Sequence, residues 1–251
     1  MKLTFLGTGD AAGVPLFGCD CDTCMQARRG MGMRRACSAV IRFGSSSILI
    51  DAGRGDLAEL FDQYNFDRIL LTHYHADHVL GLFHIRWGSR DSAIAVHGPA
   101  DEQGCADLLK HAGILDFSSC MQPFESRSFE DISITPLPLN HSKPTLGYFF
   151  DYDGKRLAYL TDTLELPAAT ESFLLENRPD LLVIDSCFPP DCEHKRNHND
   201  LDDALNIHRR ITPGETWLTH IGHGLDSFWQ QQGIELPDHV FVAADGDEIN
   251  L

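Results

Sequence analysis

Four times along this chain a short apolar run stops at a histidine or an aspartate: Leu71-Thr-His73, Leu139-Asn-His141, Leu160-Thr-Asp162 and Leu218-Thr-His220. A short apolar run bounded by polar residues reads as a buried strand. A chain built this way must carry several strands whose ends deliver ligand-type side chains. That requirement favours sheets over a helical bundle.

The remaining pattern sets the fold class. Strands are predicted at Leu3–Leu6, Ala39–Phe43, Ser47–Asp51, Arg68–Thr72 and Ile94–His97, and again at Ile132–Pro138, Leu146–Asp151, Arg156–Thr161, Asp180–Asp185, Thr216–Thr219 and Val240–Ala243. Helices are predicted at Asp56–Tyr64, Asp101–Leu109, Ala168–Glu176 and Leu201–Arg209. Hairpins mixed with strand–helix alternation fit neither a doubly wound parallel sheet nor an all-β sandwich. The expectation is an α/β (α+β) chain of one domain over residues 1–251, with two related β-sheet halves packed face to face and an insertion around 18–36.

The formal net charge of −17, from 20 basic and 37 acidic residues, repels polyanions at long range. Nucleic acid is therefore not expected as a partner, and neither is a membrane, since no long apolar run or signal peptide is present. The cytoplasm is the expected location. Eight cysteines are present, three of them in Cys19-Asp-Cys21-Asp-Thr-Cys24. In a reducing compartment, thiols so spaced are read as metal ligands rather than disulfide partners. Cys37, Cys105, Cys120, Cys187 and Cys192 lack ligand spacing and read as buried or incidental.

The densest chemistry is His73-Tyr-His75-Ala-Asp77-His78, immediately after a predicted strand. Neutral imidazole and carboxylate suit zinc, manganese or iron. In a tight loop His73 and His75 can converge on one ion, while Asp77 and His78 turn to a second. Two ions need further ligands from other strand ends. His141 is expected to complete the first set, His220 the second, and Asp162 to bridge them.

In this order, from Leu3-Thr-Phe-Leu-Gly-Thr-Gly9 to Thr219-His220, these residues resemble the metallo-β-lactamase superfamily of hydrolases. The resemblance implies a four-layer αββα sandwich with a dinuclear site at one edge. It gives Asp51 the part of a carboxylate that orients a ligand rather than binding metal. Gly18-Cys19 through Cys24, Asp101-Glu-Gln-Gly-Cys105, Pro136-Leu-Pro-Leu-Asn-His141-Ser, Arg196-Asn-His198-Asn-Asp-Leu201 and Thr219-His220-Ile-Gly-His223 are similar to the phosphodiesterases of carbon–phosphorus lyase operons. That likeness implies hydrolysis of 5-phospho-α-D-ribosyl 1,2-cyclic phosphate, a small phosphorylated sugar, to ribose 1,5-bisphosphate in phosphonate breakdown. It implies manganese or zinc at the dinuclear site, a structural zinc held by Cys19, Cys21, Cys24 and His223, and a possible homodimer. Three thiolates and an imidazole form a closed tetrahedral set with no position left for substrate.

Two divalent ions lower the pKa of water enough to supply hydroxide at neutral pH, which a shared position would present to phosphorus. The departing sugar oxygen needs a proton, and His198 is the candidate acid. With Asp77 it completes the expected catalytic residues. Rival readings are a transfer-RNA 3′-end endonuclease, a thiolester hydrolase, and a non-catalytic metal-binding protein of the kind found in pyrroloquinoline quinone biosynthesis.

Overall fold

A computed structural model describes residues 1–60, 65–193 and 195–251. Two seven-stranded sheets lie face to face. The first holds β1 (Lys2–Gly7), β2 (Ser38–Phe43), β3 (Ser46–Ile50), β4 (Arg68–Leu70), β5 (Ile94–His97) and β6 (Leu115–Asp116), and β14 (Glu248–Asn250) closes its other edge beside β1. The second runs in chain order from β7 (Arg127–Phe129) through β8 (Ile132–Pro138), β9 (Leu146–Tyr152), β10 (Lys155–Leu160), β11 (Leu181–Asp185) and β12 (Glu215–Thr219) to β13 (Val240–Val242). Each sheet starts as an antiparallel meander and finishes in parallel strands: β3 to β6 in one, β10 to β13 in the other.

Alternation along the strands builds three apolar layers. Leu3, Phe5, Ile41 and Ile50 of the first sheet meet Tyr148, Phe150, Leu157 and Tyr159 of the second, and all eight are wholly buried. The first sheet's other face buries Val40, Leu49 and Ile69 against α2 (Ala76–Val79), α3 (Leu82–Ile85) and α4 (Ala106–Lys110). The second sheet's other face buries Leu182, Ile184 and Leu218 against α5 (Ala168–Glu176), α6 (Leu201–Ile211) and α7 (His223–Gln232). Helix, sheet, sheet, helix is the four-layer αββα sandwich that the resemblance implied. No helix among the described residues is long and apolar enough to cross a membrane.

Several predicted elements differ in extent. The helix expected from Asp101 starts only at Ala106, because the Asp101 carboxylate accepts from the Gln103 N–H at 2.9 Å and Gly104 turns the chain at φ +32°. Residues 55–60 form turns rather than the start of a helix, and the end of that predicted helix lies outside the described residues. The insertion contains a short helix, α1 (Asp22–Arg28), which pattern did not show.

Candidate metal centre

Strand direction assembles the centre. β4, β10, β11 and β12 all end at one edge of the sandwich, the usual place for a site in sheets with parallel strands. His73, Asp162, Asp185 and His220 lie at or just beyond those ends. Two hydrogen bonds stitch the sheets together there: Tyr148 Oη donates to the Leu71 carbonyl at 2.6 Å, and Leu146 N–H donates to the Thr72 carbonyl at 2.9 Å. Asp51, Asp162 and His220 stand at φ +53°, +65° and +55°, left-handed backbone that costs a residue with a side chain about 1–3 kcal/mol. The surrounding packing holds them there.

The ligand atoms fall into two groups, each within 4.8 Å: His73, His75, His141 and Asp162, and Asp77, His78, Asp162 and His220. Asp162 belongs to both. Its Oδ2 lies 3.6 Å from His73 Nε2, 3.7 Å from His141 Nε2 and 3.3 Å from His78 Nε2, while its Oδ1 lies 3.4 Å from His220 Nε2. Asp77 Oδ2 stands 3.4 Å from His78 Nε2 and 3.7 Å from His220 Nε2.

These donors fit divalent cations. His78 Nε2 and both ring nitrogens of His220 are buried with no hydrogen-bond partner among the described residues. Leaving such atoms unmatched costs about 1–3 kcal/mol each. His75 Nδ1 sits 2.8 Å from His73 Nε2 and 3.0 Å from His141 Nε2, so neutral rings would point lone pairs at one another unless a cation or proton lies between them. Burial pushes His73 well below the ordinary imidazole range and His141 down to about 4, which keeps their lone pairs available. At His78 and His220 burial also opposes charge. There Asp162, helped by Asp51 at His78 and by Asp77 at His220, outweighs it and holds both well above that range. The second group thus already shows a demand for positive charge.

A shell of hydrogen bonds aims the rings. Asp51 accepts from Thr72 N–H and Thr72 Oγ1, both at 2.8 Å, and lies 2.7 Å from His78 Nδ1. Thr72 Oγ1, its proton given to Asp51, is 3.0 Å from His73 Nδ1. His141 Nδ1 donates to the Asn197 carbonyl at 3.2 Å. At His73, His78 and His141 the outer nitrogen is engaged, so Nε2 turns inward.

His198 enters beside these groups. Its ring stacks on His220 at 4.7 Å and 15° and meets His141 at 5.1 Å, while its Nδ1 lies 3.0 Å from Asp185 Oδ2. Asp185 is fully buried, which raises its carboxyl; the His198 hydrogen bond pulls the other way. Asp185 escaped the sequence reading because it looks like the tail of the buried strand Leu-Leu-Val-Ile-Asp. Its place at the end of a strand, like Asp162, was the available signal.

Some distance off, Cys19, Cys21, Cys24 and His223 also bring their ligand atoms within 4.8 Å of one another. Cys21 Sγ lies 3.1 Å from His223 Nε2, and that contact lowers the Cys21 thiol to about 6. His223 opens α7 three residues after His220, and α7 is tied to the insertion by the partly buried Arg34–Asp226 pair at 2.6 Å and by Thr23 Oγ1 donating to Gln230 Oε1 at 2.9 Å. Cys21→Ala is expected to remove about one zinc per chain and to lower Tm, while changing hydrolytic turnover less than about tenfold. Unchanged zinc content would refute a structural zinc here.

Residues 47–221 match the model of the beta-lactamase superfamily domain, and the chain belongs to that superfamily, a family of hydrolases. Among solved structures it is similar to a diphosphatase of the PhnP family, 28% identical with a TM-score of 0.81, the match covering 99% of this chain and 96% of that one. A Zn²⁺-bound PqqB from Methylobacterium extorquens shares the fold at a TM-score of 0.80 and 18% identity, over the whole of both chains. Among curated proteins, an octanoyltransferase of Porphyromonas gingivalis is 28% identical over 99% of this chain and 51% of its own length. A ribonuclease Z of Pyrococcus furiosus is 26% identical over 62% of this chain and 50% of its own. The chain thus spans about half the length of these curated relatives.

Proposed function

We propose that this hydrolase is a metal-dependent phosphodiesterase that opens 5-phospho-α-D-ribosyl 1,2-cyclic phosphate to α-D-ribose 1,5-bisphosphate, a step of phosphonate catabolism. The observation that carries the reading is the buried Asp185–His198 pair standing against two ligand groups that share Asp162. The full-length likeness to a PhnP-family diphosphatase supports it.

His73, His75, His141 and Asp162 would hold one divalent ion, and Asp77, His78, His220 and Asp162 the other, with manganese or zinc suited to such nitrogen and oxygen donors. Bound there, the ions make water a nucleophile at neutral pH and offset the charge of the phosphoryl oxygens. The protein's own part is proton delivery. As water's oxygen bonds to phosphorus, the bond from phosphorus to the sugar 2-oxygen breaks, and His198 Nε2 gives that oxygen its proton. Asp185 Oδ2 accepts from Nδ1 of the same ring and stabilises the charged imidazolium from which the proton leaves. Cys19, Cys21, Cys24 and His223 would hold the structural zinc, fastening the insertion around 18–36 to α7.

The ribonuclease Z relatives favour a second reading, a transfer-RNA 3′-end endonuclease. A net charge of −17 weighs against so large a polyanion. Phosphorus NMR of the manganese-loaded protein with the cyclic ribosyl phosphate is expected to show the strained-ring signal replaced by a second phosphomonoester signal beside that of the 5-phosphate. An inert cyclic substrate alongside cleavage of precursor transfer RNA would overturn the proposal in favour of the second reading.

A further inference from the structure

Asn199 is wholly buried, and its side-chain amide is spent entirely on two neighbouring loops of the centre. Nδ2 donates to Asp185 Oδ1 at 3.1 Å and lies 3.4 Å from the Asp185 carbonyl, while Oδ1 accepts from the Glu165 N–H at 2.8 Å. Only this orientation of the amide works. Reversed, it would set its NH₂ against the Glu165 N–H and its carbonyl oxygen against a carboxylate. The Asn199 backbone carbonyl accepts from Cys187 N–H at 2.9 Å, which anchors the residue to the segment that follows β11.

The loops it joins need such support. Glu165 and Asn197 stand at φ +54° and +59°, backbone that a side chain normally avoids. Asn197 offers its carbonyl to His141, and His198 comes next in the chain. Beyond Asn199, Asp200 caps α6 through a reciprocal box with Asp203, and Lys195 Nζ reaches Asp200 at 2.9 Å. The segment is therefore held on both sides of Asn199.

A carboxylate is ordinarily free to turn about its last torsion. At Asp185 that freedom is gone, because Oδ1 is taken by Asn199 and only Oδ2 faces His198 Nδ1. We propose that Asn199 is the positioning residue of the proton-transfer step: by locking the Asp185 carboxylate, its amide holds the His198 ring with Nε2 toward the leaving oxygen. This rests on the reading of His198 as the acid, and adds that the acid works only while a buried amide fixes its carboxylate partner.

The test compares metal-loaded wild type, His198→Ala and Asn199→Ala on two substrates. Bis(p-nitrophenyl) phosphate releases an acidic phenol that departs without a proton, and the cyclic ribosyl phosphate releases an alkoxide that needs one. For Asn199→Ala the expected loss is about 10²-fold on the cyclic substrate and within about threefold on the aryl one, as for a damaged general acid. Proton NMR of the full chain supplies a readout independent of turnover. A low-field imidazole N–H signal, assigned by its absence in His198→Ala, is expected to disappear or move upfield in Asn199→Ala. If that variant fails to fold, Asn199→Ser, which keeps a shorter donor, is expected to show a smaller split of the same sign. If His198→Ala shows no split between the substrates, the acid reading itself fails. If His198→Ala splits them while the Asn199 variant loses both activities equally, or keeps the imidazole signal in place, only the positioning role falls.

Discussion

Asp162→Ala is expected to lose at least one of the two ions proposed for the active site and at least about 10³-fold in kcat/KM on any phosphodiester that the wild type cleaves. The reason is geometric. Among the described residues Asp162 alone belongs to both ligand groups, with one carboxylate oxygen facing His73, His78 and His141 and the other facing His220. Removing it takes one anionic donor from each set at once. An ion acting on a phosphoryl oxygen is worth several kcal/mol in the transition state, and about 1.36 kcal/mol corresponds to tenfold in rate. Asp162→Asn keeps the shape but not the charge and is expected to fall in the same direction. Metal analysis is the check: two ions still bound to Asp162→Ala would end the shared-ligand idea. The variant should also free His78 and His220 from the carboxylate that holds their charge, so both are expected to titrate at lower pH in the metal-free protein.

His198→Ala is the second large effect, and its signature differs. Metal content is expected to stay complete, since His198 stands outside the two four-residue groups that share Asp162. Turnover of the cyclic ribosyl phosphate should fall by about 10²–10⁴-fold, the range for losing a positioned general acid. Turnover of bis(p-nitrophenyl) phosphate should change little, because its leaving group needs no proton. Near-normal turnover of the cyclic substrate with full metal would remove His198 from the mechanism. Equal losses on both substrates would mean that the ring organises the centre rather than donating to the leaving group. Asp185 is tied to the same outcome through its 3.0 Å contact with His198 Nδ1.

What the primary sequence disclosed, and what it withheld, divides along a physical line. Most of the strands, the two-sheet architecture and the ligand-type residues were legible, because each depends on local pattern, a short apolar run and then, at the site, His or Asp where the strand stops; the short edge strands β6, β7 and β14 were not. The helix over Ala168–Glu176 and the strand over Ile132–Pro138 were legible for the same reason, down to their ends. The late start of α4 was not, since a side chain turning back on its own backbone overrode the helical pattern. Nor were the partners of the ligands. The family resemblance gave Asp51 an orienting part but not its partner, His78, 27 positions away; the Asn197 carbonyl reaches His141 across 56, and Tyr148 braces Leu71 across 77. Contacts of that separation leave no periodic trace, because they exist only once segments far apart in the chain have been packed side by side, within one sheet's layer or across the two sheets. Asp185 and Asn199 make the same point: in the one-dimensional chain they are the last residue of a buried strand and a polar loop residue, and only packing turns them into a carboxylate and the amide that clamps it. Residue type and spacing decided which atoms could bind a cation or move a proton. Long-range hydrogen bonding decided which way those atoms point.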